Sequence, residues 1–189
     1  MTERTLEDIC NILPRSKRNT KYGNKKGEYP FFKGSVIVDT YVDIPDYEGE
    51  SLIICDSGKA NINYAYEFSA SDNCYILQNK NKSLLNLKFA YYYLYNNLDI
   101  MNDLYTGDAI KHISSASIKG IKIPFPSLEK QNEIVEYCEK HDMNIKKLEE
   151  EIENNKFHIM QYLKDCKIKD LWKIYLPTPT RLRDTYILK

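Results

Sequence analysis

At 189 residues, with 42% hydrophobic and 29% charged side chains, the chain suits one domain with a real core, or a smaller domain with an appendage; wholesale disorder is disfavoured. Lys and Arg number 27, as do Asp and Glu, so no whole-molecule basic field draws the chain onto phosphates, and any nucleic-acid contact must come from local patches. The five cysteines (Cys10, Cys55, Cys74, Cys138, Cys166) never form C-x-x-C and no apolar run approaches the ~18 residues of a membrane span, which argues against a zinc ribbon, a disulfide framework and a membrane protein, and for an intracellular one.

Leu6 to Leu13 carries apolar residues at helical spacing behind Thr5, an N-cap candidate with Asp8 in the third helical position, and the pattern predicts one short helix ending at Pro14. Arg15 to Glu28 is basic, polar and without periodicity, hence a loop. Between Tyr29 and Tyr75 the runs GSVIVDTYVDI, SLIIC and NCYILQ, punctuated by Pro45, Gly49 and Gly58, predict three strands. Ser83 to Leu98 places Leu84, Leu87, Tyr91, Leu94, Tyr95 and Leu98 on one face of an amphipathic helix packed on the sheet. A polar stretch after Gly107 leads to a last short strand, IKIPF, which Pro124 and Pro126 end.

Ser127 opens a different regime. From Ile134, positions 134, 138, 141, 145, 148, 152, 155, 159 and 162 alternate in steps of four and three and hold Ile, Cys, His, Ile, Leu, Ile, Asn, Ile and Tyr. Flanked by Glu and Lys and free of Gly and Pro, this is a heptad seam, predicting a helix from 128 to about 165. At ~1.5 Å per residue it would be on the order of 55 Å long, beyond the ~30 Å diameter of a small domain. So narrow a stripe asks for a second helix, and no other segment here offers matching length. Ile134, Ile145, Leu148, Ile152, Asn155 and Ile159 are the expected interface residues, with Asn155 and His141 fixing register at some cost in stability. A solvated helix folded back along its own domain is the alternative.

No glycine lies in G-x-G-x-x-G or G-x-x-x-x-G-K spacing, so nucleotide binding is not indicated. Asp46 and Asp56-Ser-Gly-Lys59 come nearest to a nuclease arrangement but miss the acid-x-Lys spacing. Cys138 and His141 share a helical face, yet two ligands do not make a zinc site. The reading is of a protein that is not an enzyme and needs no cofactor or metal. What remains are basic loops on a neutral body: Arg15, Lys17, Arg18, Lys21, Lys25 and Lys26 in one, Lys59, Asn61 and Asn63 after Gly58, and Lys111 and His112 after Gly107. Such side chains contact phosphates and base edges.

The stretch T-G-D-A-I-K-H-I-S-S-A-S-I-K-G-I-K-I-P-F-P-S-L-E-K-Q-N-E-I resembles the target recognition unit of a type I restriction-modification specificity subunit. The shared pattern is a glycine, a polar loop, Ile-Ser, a strand ending in Pro-x-Pro, then Leu-Glu-x-Gln-x-x-Ile opening a long helix. Y-P-F-F-K-G-S, S-L-I-I-C-D-S-G-K-A-N-I and T-L-E-D-I-C-N-I fit earlier parts of the pattern, so the likeness covers about residues 4 to 165. It implies an α/β (α+β) fold: a globular target recognition domain over residues 1–126, with a twisted mixed sheet and packed helices. One long coiled-coil helix over 127–172 and a tail over 173–189 follow. The implied function is non-catalytic, sequence-specific recognition of double-stranded DNA, with methyltransferase and restriction subunits scaffolded by the protein. Full members resemble two such units, so this single unit implies pairing with itself or with another half-subunit across a bipartite target. Expected DNA contacts are Arg15, Lys17, Arg18, Lys21, Lys59, Asn61, Lys111 and His112. A rival of another class is an assembly protein that keeps the fold without reading DNA.

Overall fold

The computed structural model describes residues 2–35 and 37–166. The single helix expected over Leu6 to Leu13 is instead a strand β1 (Glu3–Thr5), one helical turn α1 (Leu6–Ile9) and a strand β2 (Cys10–Ile12). The cap is as expected: the Thr5 hydroxyl accepts from the Asp8 N–H (3.2 Å) and the Asp8 carboxylate from the Thr5 N–H (3.1 Å). The helix stops early because Cys10 turns to an extended backbone and β2 pairs with a distant strand, a tertiary preference that overrides local periodicity.

Between Tyr29 and Asn79 there are five strands, not three: β3 (Tyr29–Phe32), β4 (Tyr41–Val42), β5 (Tyr47–Cys55), β6 (Ile62–Ala70) and β7 (Cys74–Asn79). Among the described residues from Gly34 to Ile44 only Tyr41 and Val42 are strand, and Gly34, at φ +80°, turns the chain away after β3. β6 falls between the expected strands. The sheet order is β2-β7-β5-β6-β3-β4, antiparallel except for the parallel β3–β6 pair, so the sheet is mixed.

That sheet is strongly curled. The end of β6 pairs with the start of β5 (Phe68 with Tyr47), and the start of β7 pairs with the end of β5 (Cys74 with Cys55). Yet only Ser71, Asp72 and Asn73 separate Ala70 from Cys74, a reach of about 14 Å. A straight nine-residue strand would run about 30 Å. β5 therefore coils, with its register break between Glu48 and Ser51. The inside of the curl is a small core of Phe32, Ile53, Cys55, Phe68, Ala70, Cys74 and Ile76.

The outer face of β5 and β7 packs under α2 (Leu87–Asn96), α3 (Asp99–Asn102) and α4 (Ser115–Lys119). α2 is capped by Asn86, whose side chain accepts from the Lys88 N–H (3.0 Å), and starts at Leu87, four residues later than expected, which leaves Leu84 exposed. Leu87, Ala90 and Leu94 are buried, and Tyr91, Tyr95 and Leu98 pack against the same core. β8 (Lys122–Pro124) pairs antiparallel with β1 and ends at the prolines, as expected.

α5 runs Leu128–Asp165, matching the expected helix. The chain divides into two compact units, Met1–Cys138 and Glu139–Lys189, and α5 contributes to both. In the first, Val135 and Gln131 are buried. Gln131 Nε2 donates to the carbonyls of Leu84 (3.1 Å) and Pro126 (2.9 Å), while its Oε1 accepts from the Asn86 N–H (2.9 Å). One side chain thus fastens the helix start to the loop before α2. The second unit, as far as it is described, is helix alone. The tail over 173–189, with Tyr175, and Trp172 before it lie outside the described residues.

Candidate nucleic-acid interface

Two of the three basic loops form one backbone-bonded structure at the end of β5. The Gly58 N–H donates to the Lys111 carbonyl (3.2 Å) and the Ile113 N–H to the Asp56 carbonyl (2.9 Å). Thr106 and His112 exchange both backbone hydrogen bonds (2.9 and 2.8 Å), closing the turn over Gly107 to Lys111. Gly107 at φ +133° is required there, because a Cβ would sit 2.5 Å from the Ile110 carbonyl oxygen. Beneath them the Tyr105 hydroxyl donates to the Cys55 carbonyl; burial raises the pKa of that hydroxyl and keeps it a donor. Gly58, at φ +94°, faces open space, and Lys59 after it is exposed.

Asp56 ties in the third loop. Its carboxylate takes the Arg15 guanidinium, and the His112 Nδ1 lies 3.8 Å away. Arg15 also stacks 4.0 Å from the Tyr75 ring centroid. Arg15, Asp56, Lys59, Lys111 and His112 therefore share one surface. Arg18 points elsewhere, to Asp46, and lies over Tyr22 (3.9 Å). The hydrogen-bonded guanidinium holds the Asp46 carboxyl below the usual carboxylate value.

The cations divide by whether an acid already holds them. Arg15 and Arg18 are ion-paired, and Lys25 and Lys33 both reach Asp39 (3.0 and 3.2 Å). Lys17, Lys21, Lys59 and Lys111 are exposed and make no ion pair among the described residues. Asn61 leaves the set of surface contacts: it is buried (5% exposed), because β6 begins beside it and carries it under the curl. Its amide and the Asn63 Nδ2 find no hydrogen-bond partner among the described residues.

Two features escaped the sequence. Asp56 organises all three loops, although its spacing to Lys59 suggested only a failed nuclease motif. Ile110, 63% exposed, occupies the Gly107–Lys111 turn. Asp46 and Asp56 are each engaged by an arginine, and no group of three His, Cys, Asp or Glu among the described residues is placed to hold a metal.

On α5, Ile134 is half-buried against the first unit's core and Ile145 is half-buried. Leu148 (55%), Ile152 (39%), Ile159 (57%) and Tyr162 (70%) are exposed, as is Asn155.

Residues 1–155 match the family described as the type I restriction modification DNA specificity domain. The chain belongs to this family. It is 30% identical over 137 residues to a protein of Haemophilus influenzae named as a type I restriction enzyme specificity subunit, covering 69% of this chain and 34% of that one. A Mycoplasma pneumoniae protein named as a type I specificity subunit is 30% identical over 138 residues, covering 69% and 44%. The chain thus spans less than half the length of these relatives. Its fold matches the crystal structure of the S subunit from the type I restriction-modification system of M. genitalium, with a TM-score of 0.70 at 22% identity, over 87% of this chain and 43% of that one. No helix among the described residues is long and apolar enough to cross a membrane.

Proposed function

We propose that this chain is a non-catalytic, sequence-reading DNA recognition module of a type I restriction-modification system. Lys59, Lys111 and His112 form its duplex-facing surface, with Lys17 and Lys21 adding phosphate contacts. α5 pairs with the equivalent helix of a second copy or of another recognition unit, setting two half-sites apart and offering a scaffold to methyltransferase and restriction subunits. The observation that carries this reading is the backbone-bonded junction of the Gly58 and Gly107 loops, on which Lys59 and Lys111 are exposed and outside any ion pair among the described residues. Family membership supports the DNA partner. The exposed apolar positions of α5 support the helix partner.

The test is mobility shift of a random duplex library by the purified chain at two salt concentrations. A recognition module enriches a sequence, and binding weakens as salt rises. Lys59→Glu with Lys111→Glu should lower affinity on all sequences alike and flatten the salt dependence by roughly one counterion per lysine. No enriched sequence at low salt would leave the assembly role instead.

A further inference from the structure

We infer that Ile110 is a base-reading residue of this surface, an apolar contact to the C5-methyl group of thymine in the major groove. The inference rests on the DNA-recognition reading and adds a named determinant to it. A single exposed isoleucine is ordinary on a protein surface, so its setting has to carry the argument.

Three exposed isoleucines lie on loops of the first unit: Ile37, Ile44 and Ile110. Around the first two the nearby cations are engaged by acids, Lys25 and Lys33 by Asp39 and Arg18 by Asp46. Ile110 alone is neighboured by unpaired lysines, Lys111 next to it in the chain and Lys59 across the Gly58–Lys111 hydrogen bond. Cations that take phosphates on the groove walls leave an exposed apolar neighbour to meet the bases.

The turn is also rigid. The Thr106–His112 pair closes it, the Gly58 N–H fixes its far limb, and the Ile110 carbonyl lies so close to Gly107 that no Cβ fits. Ile110 therefore loses little conformational freedom on docking. It offers no hydrogen bond, so among base-edge groups its match in the major groove is the thymine methyl.

The experiment uses the duplex enriched by the wild-type chain. Each thymine is replaced in turn by deoxyuridine, which removes only the methyl group, and affinity is measured for the wild type and for Ile110→Ala. The wild type should lose about three- to five-fold at one thymine per half-site, the worth of one buried methyl group. Ile110→Ala should be insensitive at that thymine, keep its response to other base changes, and keep the wild-type salt slope, since the lysines are untouched. A wild type indifferent to every replacement, or an Ile110→Ala protein with the wild-type pattern of losses, overturns the assignment while leaving DNA recognition standing. A wild type that enriches no sequence overturns both.

Discussion

Up to Cys138 the chain packs most of its large apolar side chains into shared cores and leaves only scattered ones, such as Leu84 and Ile110, exposed; beyond it, the described part of α5 leaves a regular row of them in the open. Leu52, Phe68 and Leu94 are fully buried, whereas Leu148, Phe157, Ile159 and Tyr162 are each more than half exposed. Both regions carry regular apolar spacing in the sequence. The difference lies in partners: the sheet meets α2, α3, α4 and the start of α5, and the seam from Leu148 onward meets nothing comparable among the described residues. An apolar stripe of that width is what the proposed pairing with another helix would cover.

The buried side is the more sensitive to substitution. Phe68→Ala empties a fully buried site stacked on Tyr47 (5.2 Å) and edge-on to Phe32 (5.6 Å), and should cost about 3–5 kcal/mol in urea unfolding. Leu148→Glu with Ile152→Glu should leave that unfolding transition in place and instead abolish helix pairing, read by light scattering as loss of the paired species. If the pair of substitutions destabilised the first unit as much as Phe68→Ala, the division between the two regions would be wrong.

A smaller effect is expected where α5 enters the first unit. Gln131→Ala removes three hydrogen bonds and leaves the Leu84 and Pro126 carbonyls and the Asn86 N–H to find others, a loss of roughly 1–3 kcal/mol in the same unfolding experiment. The smallest effect is the exposed Asp39, whose carboxyl Lys25 and then Lys33 hold at about 2, against an ordinary 3.8. A depressed carboxylate pKa favours the folded state above the ordinary value, and that contribution fades as pH falls through about 2. Asp39→Asn should remove this slight acid dependence and little else, as expected of a solvated ion pair.

Legibility in the sequence followed the range of the forces involved. α5 could be bounded from Pro126, Ser127 and the long stretch without Gly or Pro, because propensity and seam agree along it. The Thr5–Asp8 cap was readable for the same reason: its partners are three residues apart. β2 was not, since its strand state depends on pairing with the distant β7, and β6 was missed although its partner β5 is close in sequence. At the site, Gly58 and Gly107 announced two loops, but nothing local told that a Gly58 N–H would join them. Nor could composition show that Asp56 and Asp46, 41 and 28 residues away, engage Arg15 and Arg18, or that Asn61 is covered.

The proposed function needs both regions: a DNA-reading surface, duplicated by a helix that pairs. Sequencing the duplexes retained by the purified chain tests it most directly. Pairing of two copies predicts one short motif present twice in inverted orientation at a fixed spacing, with the fixed spacing lost in the Leu148→Glu, Ile152→Glu protein. A single motif with no second copy at fixed distance in the wild type would contradict it.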